Sequence, residues 1–125
     1  MKTIINTPNA PKPIGPYSQG VLINGMLFVA GQIPVNPQNG ELVKEDISQQ
    51  TKQVMTNVEA ILKEAGMNFS NVVKASIFLS DMGNFDKVNE VYASFFKGEL
   101  HARECIQAAK LPKGVDVEIS VIAVK

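Results

Sequence analysis

The stretch "SQGVLINGMLFVAGQIP", residues 18–34, decides how the chain must fold. Two apolar runs flank Asn24-Gly25. That dipeptide suits a type I′ turn because both residues tolerate positive φ. The spacing predicts a hairpin with strands near 18–23 and 26–32. The second run, "MLFVA", has almost no polar position, so a strand there needs cover on both faces.

On the N-terminal side, "KTIIN" reads as a short first strand. "TPNAPKPIGPY" follows, with four of the seven prolines. It cannot be regular structure and reads as an ordered loop leading to Tyr17. On the other side, "VNPQNGEL" is a loop with a turn at Asn39-Gly40. In "EDISQQTKQVMTNVEAILKEAGM", Ile47, Val54, Met55, Val58, Ile61, Leu62 and Ala65 recur at three- and four-residue spacings. They form one apolar stripe of a helix. Asp46 and Gln49 resemble a capping box, and Gly66 suits the C′ position.

"NVVKASIFLSD" predicts a strand over about 72–80, with Val73, Ala75, Ile77 and Leu79 on one face. "GNFDKVNEVYASFFKG" predicts a second helix ending at Gly98, with Phe85, Val88, Tyr92 and Phe95 or Phe96 facing in. "RECIQAA" and "VDVEISVIAV" give two last strands around a "KLPKG" loop. The order β-β-β-α-β-α-β-β describes an α+β fold: a mixed sheet of about six strands with two helices on one face. In the last strand Val115, Val117, Ile119, Val121 and Ala123 make one face; Asp116, Glu118, Ser120, Ile122 and Val124 make the other. Both faces carry apolar residues, and two helices cover only one. A second copy of the chain is the economical cover, so a homo-oligomer is expected.

A chain of 125 residues predicts one domain spanning 1–125. Lys plus Arg is 12 and Asp plus Glu is 12, for zero net charge. That balance argues against a basic nucleic-acid surface and against a polybasic membrane anchor. The single cysteine forms no internal disulfide, and no Cys/His set marks a metal site. The N-terminus lacks a secretory apolar run, and no segment is long and apolar enough to span a membrane. A cytoplasmic setting is expected.

Arg103 is the only arginine, a fork of donors matched to a carboxylate or phosphate. Taken alone, it more often reads as a structural, surface strand residue. Glu118 lies in a mostly apolar strand, where partial desolvation would suit a general base; a solvated sheet position is the alternative. Tyr17 follows the rigid Gly15-Pro16 and is either a core aromatic or a pocket hydroxyl. Gly31 either relieves a steric problem or opens the backbone to a ligand. Asn89 sits mid-helix, ordinarily a solvent-facing place. Cys105 reads as a small buried residue rather than a nucleophile, and His101 as a loop residue. With no Gly-rich phosphate loop, these residues suit an easy hydrolysis using water as nucleophile.

Taken together, "NAPKPIGPYSQGV", "AGQIPVNPQNGEL", "TKQVMTNVEAILKEAG", "VNEVYASFF" and "ARECIQAAKLPKGVDVEISVIAV" resemble the RidA family, also called YjgF or reactive-intermediate imine deaminases. The resemblance covers essentially the whole chain. It implies a chorismate-mutase-like fold and a homotrimer with clefts between subunits. It implies cofactor-free hydrolysis of 2-imino and 2-enamino acids, such as 2-iminopropanoate and 2-iminobutanoate, to 2-keto acids and ammonia. By position, Arg103 would clamp the substrate carboxylate and Glu118 would handle the attacking water. The backbone at Gly31 and Cys105 would contact substrate or water, and Tyr17 and Asn89 would line the cleft. Ala30 replaces a common Ser, His101 a common Pro, and Ser120 the second Glu of a frequent Val-Glu-Ile-Glu run.

Two alternatives belong to other classes. One is an endoribonuclease or translation inhibitor, against which the neutral charge counts. The other is a non-catalytic, small-carboxylate-binding or chaperone-like trimer. Having both Arg103 and Glu118 favours the enzyme.

Overall fold

The structure is a computed structural model describing residues 1–125. Strands β1 (Thr3–Ile5), β2 (Gly20–Ile23) and β3 (Met26–Gln32) come first. Helix α1 (Ile47–Glu64), β4 (Val72–Leu79), α2 (Phe85–Ala93), β5 (Ala102–Gln107) and β6 (Val117–Val124) follow. The predicted element order is the one observed. The six strands form one mixed sheet in the order β1-β2-β3-β6-β4-β5. Only β4 and β5 are parallel neighbours, joined through α2.

The hairpin forms where expected. Asn24 and Gly25 hold φ of 51° and 77°, the two left-handed positions that a type I′ turn requires. Strand β2 starts at Gly20, two residues later than predicted, because Gln19 is taken up by the proline-rich loop. Its side chain accepts from Thr7 N–H at 2.7 Å and donates to the carbonyls of Thr7, Ala10 and Pro11. Gln19 is almost fully buried, so these bonds replace water for a loop that cannot satisfy itself.

Helix α1 buries the predicted stripe against the sheet. Asp46 Oδ1 caps it by accepting from Gln49 N–H at 2.9 Å, and Gly66 turns the chain out at φ 74°. Asn57, on the same helix, is fully buried. Its Nδ2 donates to the carbonyls of Ile33 and Val35 at 3.2 and 2.9 Å, tying the segment after β3 to the helix.

Two expectations need correction. Val73 does not share a face with Ala75, Ile77 and Leu79. Pairing with β6 steps from Val72↔Ala123 to Lys74↔Ile122, so Val73 is the extra residue of a bulge and is exposed, while Val72 turns inward. Helix α2 ends at Ala93 rather than near Gly98. Ser94 folds its hydroxyl back onto the Val91 carbonyl at 2.5 Å, and Phe95 and Phe96 pack against the core from beyond the helix.

The main core lies between the helices and one sheet face: Leu27, Val29, Ala75, Ile77, Leu79, Val117, Ile119, Val121 and Ala123. The alternate residues form an open face that no element covers. On it Ile4, Phe28 and Ile106 are 51%, 40% and 50% exposed. A smaller cluster of Ile33, Val35, Leu111 and Val115, with Phe78 against it, closes one end. No helix is long and apolar enough to cross a membrane.

Candidate functional site

The candidate residues fall into two groups on opposite faces of the sheet. Glu118 pairs with Phe78 and points to the open face, because Val117 and Ile119 on either side face the core. Next to it, the pairing of β3 with β6 steps from Val29↔Val121 to Gln32↔Ile119, a bulge at Ala30-Gly31. The Glu118 carboxyl folds over Gly31. A Cβ built on Gly31 would lie 2.9 Å from the carboxyl carbon and closer still to Oε2. Glycine here therefore makes room for a carboxylate rather than for a turn. Glu118 is half-buried, and burial alone pushes its pKa up; no cation or hydrogen bond opposes that rise.

Gly31 also forms part of the wall of a cleft of about 490 Å³. Tyr17, Lys12, Ile14, Gln19 and Lys113 contribute to the same wall. The Tyr17 hydroxyl accepts from Ile14 N–H at 3.2 Å, which leaves its own proton free to donate. Tyr17 is thus a pocket residue, not a core aromatic.

Arg103 lies on the other face. In the parallel β4–β5 register it pairs with core-facing Ala75, and Cys105 pairs with core-facing Ile77. The guanidinium reaches towards α2. Its Nη1 donates to Asn89 Oδ1 at 2.7 Å, and its carbon stands 5.6 Å and 5.2 Å from the ring centres of Phe85 and Tyr92. Asn89 is therefore not a solvating residue: it orients the fork. Cys105 is half-buried beside the core. Burial pushes its thiol up and Arg103 pulls it partly back, so it stays a thiol.

Two residues at this site escape motif reading. Tyr92, deeply buried, presents its ring to Arg103, and burial raises its hydroxyl pKa well above the ordinary value. His101 is no idle loop residue. Its Nε2 is hydrogen-bonded to the Tyr92 hydroxyl, and its ring stacks on Phe96 with centres 4.3 Å apart. The signal was spacing: His101, just ahead of β5, and Arg103 and Cys105 within it recur at every second residue, and Phe85, Asn89 and Tyr92 follow helical four- and three-residue steps.

This combination defines a class. A six-stranded mixed sheet, backed by two helices, carries one arginine fork and one desolvated carboxyl at separate margins. The family described as Endoribonuclease L-PSP matches residues 7–125, and the chain belongs to that family, the YjgF/RidA family. A RutC family protein of Pyrococcus horikoshii is 50% identical over 125 residues, covering 100% of this chain and 99% of its own. The 2-iminobutanoate/2-iminopropanoate deaminase of Bos taurus is 45% identical, over 100% of this chain and 91% of its own. Among solved structures, Escherichia coli TdcF with bound serine superposes with a TM-score of 0.95 at 43% identity, covering 98% of each chain. A putative endoribonuclease from Thermotoga maritima gives 0.97 at 46% identity, over 100% of this chain and 98% of that one.

Proposed function

We propose that the protein hydrolyses short 2-imino acids and their enamine tautomers to 2-keto acids and ammonia. The observation that carries this reading is Glu118: a carboxyl held over a glycine, half-buried, with nothing to stabilise its charge. Such a group costs stability and is expected where a base is needed. The deaminase name of the bovine relative and the serine bound to TdcF support a small amino- or imino-acid ligand.

In this mechanism Arg103, held by Asn89 and stacked between Phe85 and Tyr92, takes the substrate carboxylate in bidentate fashion. Water attacks the carbon of the protonated imine as Glu118 accepts a proton from it, and the C=N π pair moves to nitrogen. The tetrahedral carbinolamine then takes the proton from Glu118 onto its amine. The C–N bond breaks, ammonia leaves, and the hydroxyl proton passes to the regenerated Glu118 carboxylate to give the keto acid. Most of the rate gain comes from orientation, since a protonated imine already accepts water.

Arg103 and Glu118 face opposite ways in one chain. A site using both is therefore built from two protomers, Arg103 of one meeting Glu118 and Tyr17 of the next. The exposed apolar residues of the open face support such an assembly, which we take to be the homotrimer.

The test is complementation. Alone, Arg103→Ala should be inactive and Glu118→Gln should keep about 1% or less of wild-type activity on an imine generated in situ. Unfolded, mixed in equal amounts and refolded together, they should regain about a quarter of wild-type activity, because random assembly gives one site in four both intact residues. Recovery would confirm the shared site. No recovery from a mixture proven to contain hetero-oligomers would sink it. An unmodified protein that does not accelerate imine loss would sink the deaminase reading altogether.

A further inference from the structure

His101 is the one group near Arg103 that can change charge close to neutral pH, and neither the family's reaction nor the mechanism above uses it. It forms one wall of a recess of about 270 Å³ together with Asn89, Tyr92, Phe96, Leu100 and Arg103. A carboxylate on Arg103 would thus sit beside the imidazole. The Tyr92 hydroxyl ties the two residues mechanically: it bonds His101 Nε2, while the Tyr92 ring lies 5.2 Å from the guanidinium carbon.

We propose that His101 is a positioning residue that makes the carboxylate clamp proton-coupled: imino-acid binding at Arg103 draws a proton onto His101, and protonated His101 in turn tightens the clamp. The proposal rests on Arg103 being that clamp.

The physical argument has two parts. Burial first, and the facing Arg103 charge second, push the His101 pKa below the ordinary imidazole value. A bound carboxylate cancels part of the Arg103 field, so the cost of charging His101 falls. By linkage, whatever raises proton affinity in the complex raises ligand affinity at low pH by the same factor. The second part is the hydrogen bond. In neutral His101 the Tyr92 O–H can donate to a bare Nε2. Once protonated, Nε2 must donate and Tyr92 must accept. That frees the phenolic proton to turn elsewhere while keeping the ring under Arg103. Within the chain the groups facing His101 are Tyr92 from α2 and Arg103 from β5, with uncharged Phe96 behind it; in the proposed two-protomer site Glu118 of the neighbouring copy also meets Arg103. Lys97 and Glu99, in the preceding segment, are exposed and opposite in sign.

The chain has one histidine, so its imidazole Cε1–H proton can be followed by NMR without assignment. The experiment titrates that resonance between pH 5 and 8, with and without saturating 2-oxobutanoate, and measures 2-oxobutanoate Kd across the same range. The expected results are a His101 pKa that rises on binding by about half a unit, and a Kd that tightens from pH 8 towards a limit of about threefold below the His101 pKa of the free protein. In His101→Asn, which keeps a hydrogen-bond partner for Tyr92 but carries no charge, that threefold change should disappear. A pH change from Glu118 would survive the substitution and so be told apart. Binding that needs Arg103 but leaves the His101 titration unmoved would overturn the proton coupling and keep the clamp. Binding that is undiminished in Arg103→Ala, or no binding at all, would overturn the clamp and the coupling with it.

Discussion

Replacing Gly31 by alanine tests the placement of Glu118 without touching Glu118. Gly31 is absent from the positive-φ residues, so its backbone accepts a side chain. The obstacle is the carboxyl: the new Cβ would stand 2.9 Å from its carbon, where ordinary contact begins at 3.4 Å. Oε2 stands closer still, so the carboxyl must withdraw by roughly one ångström or swing to another rotamer, because it is the far end of a flexible side chain and yields before β3 does. Displacements of about 1 Å in catalytic groups cost up to 10²-fold in rate. We expect Gly31→Ala to lower kcat/KM for the in-situ imine by about 10- to 100-fold, or about 1.4–2.7 kcal/mol of barrier. The fold should barely respond, since loss of unfolded-state freedom favours alanine by about 0.4–1 kcal/mol. The assay pairs imine-decay kinetics with thermal unfolding by circular dichroism. Wild-type kcat/KM in a folded Gly31→Ala protein would refute the claim that Glu118 works from above Gly31.

Glu118→Gln should cut kcat by about 10²-fold or more, yet raise Tm by about 1–3 °C at neutral pH. The sign follows from burial: the folded pKa of Glu118 lies above the unfolded one, so its ionised form penalises the fold. That penalty lifts as pH falls through the raised folded pKa, and wild type and variant should converge in Tm there; a lower Tm for the variant at neutral pH would contradict the assignment. For the same reason the acid limb of wild-type kcat should lie above that of an exposed glutamate, measured as a pH–rate profile. Asn57→Ala would strand the carbonyl of Val35 in a dry site and leave that of Ile33 with the Val35 N–H alone. That should cost roughly 2–3 kcal/mol, about 8–12 °C of Tm at this chain length; a loss under 2 °C in calorimetry would show that water replaces the amide.

Much of the fold was legible because local and global signals agreed. Asn24-Gly25 could scarcely serve another turn, and the α1 stripe had its cap at Asp46 and its exit at Gly66. Bulges were not legible. Alternation put Val73 with Ala75, and only the pairing with β6 shows the extra residue. The candidate site was legible as a set of residues and not as a geometry. Arg103 and Glu118 stood out as lone charges among apolar neighbours, but their faces depend on the registers of β5 on β4 and of β4 on β6. Asn89 and His101 drew bland readings because each was weighed alone; the register brings them to Tyr92 and Arg103.

Because Arg103 and Glu118 lie on opposite faces of the sheet, the proposed shared site would make turnover a property of concentration. If each site takes its arginine from one chain and its base from the next, a free chain holds two half-sites and converts nothing. Specific activity should then stay constant on dilution until subunits part, and fall steeply below that point. Newly made chains would be silent until they met one another, and an agent that split the assembly would inhibit without ever entering the cleft.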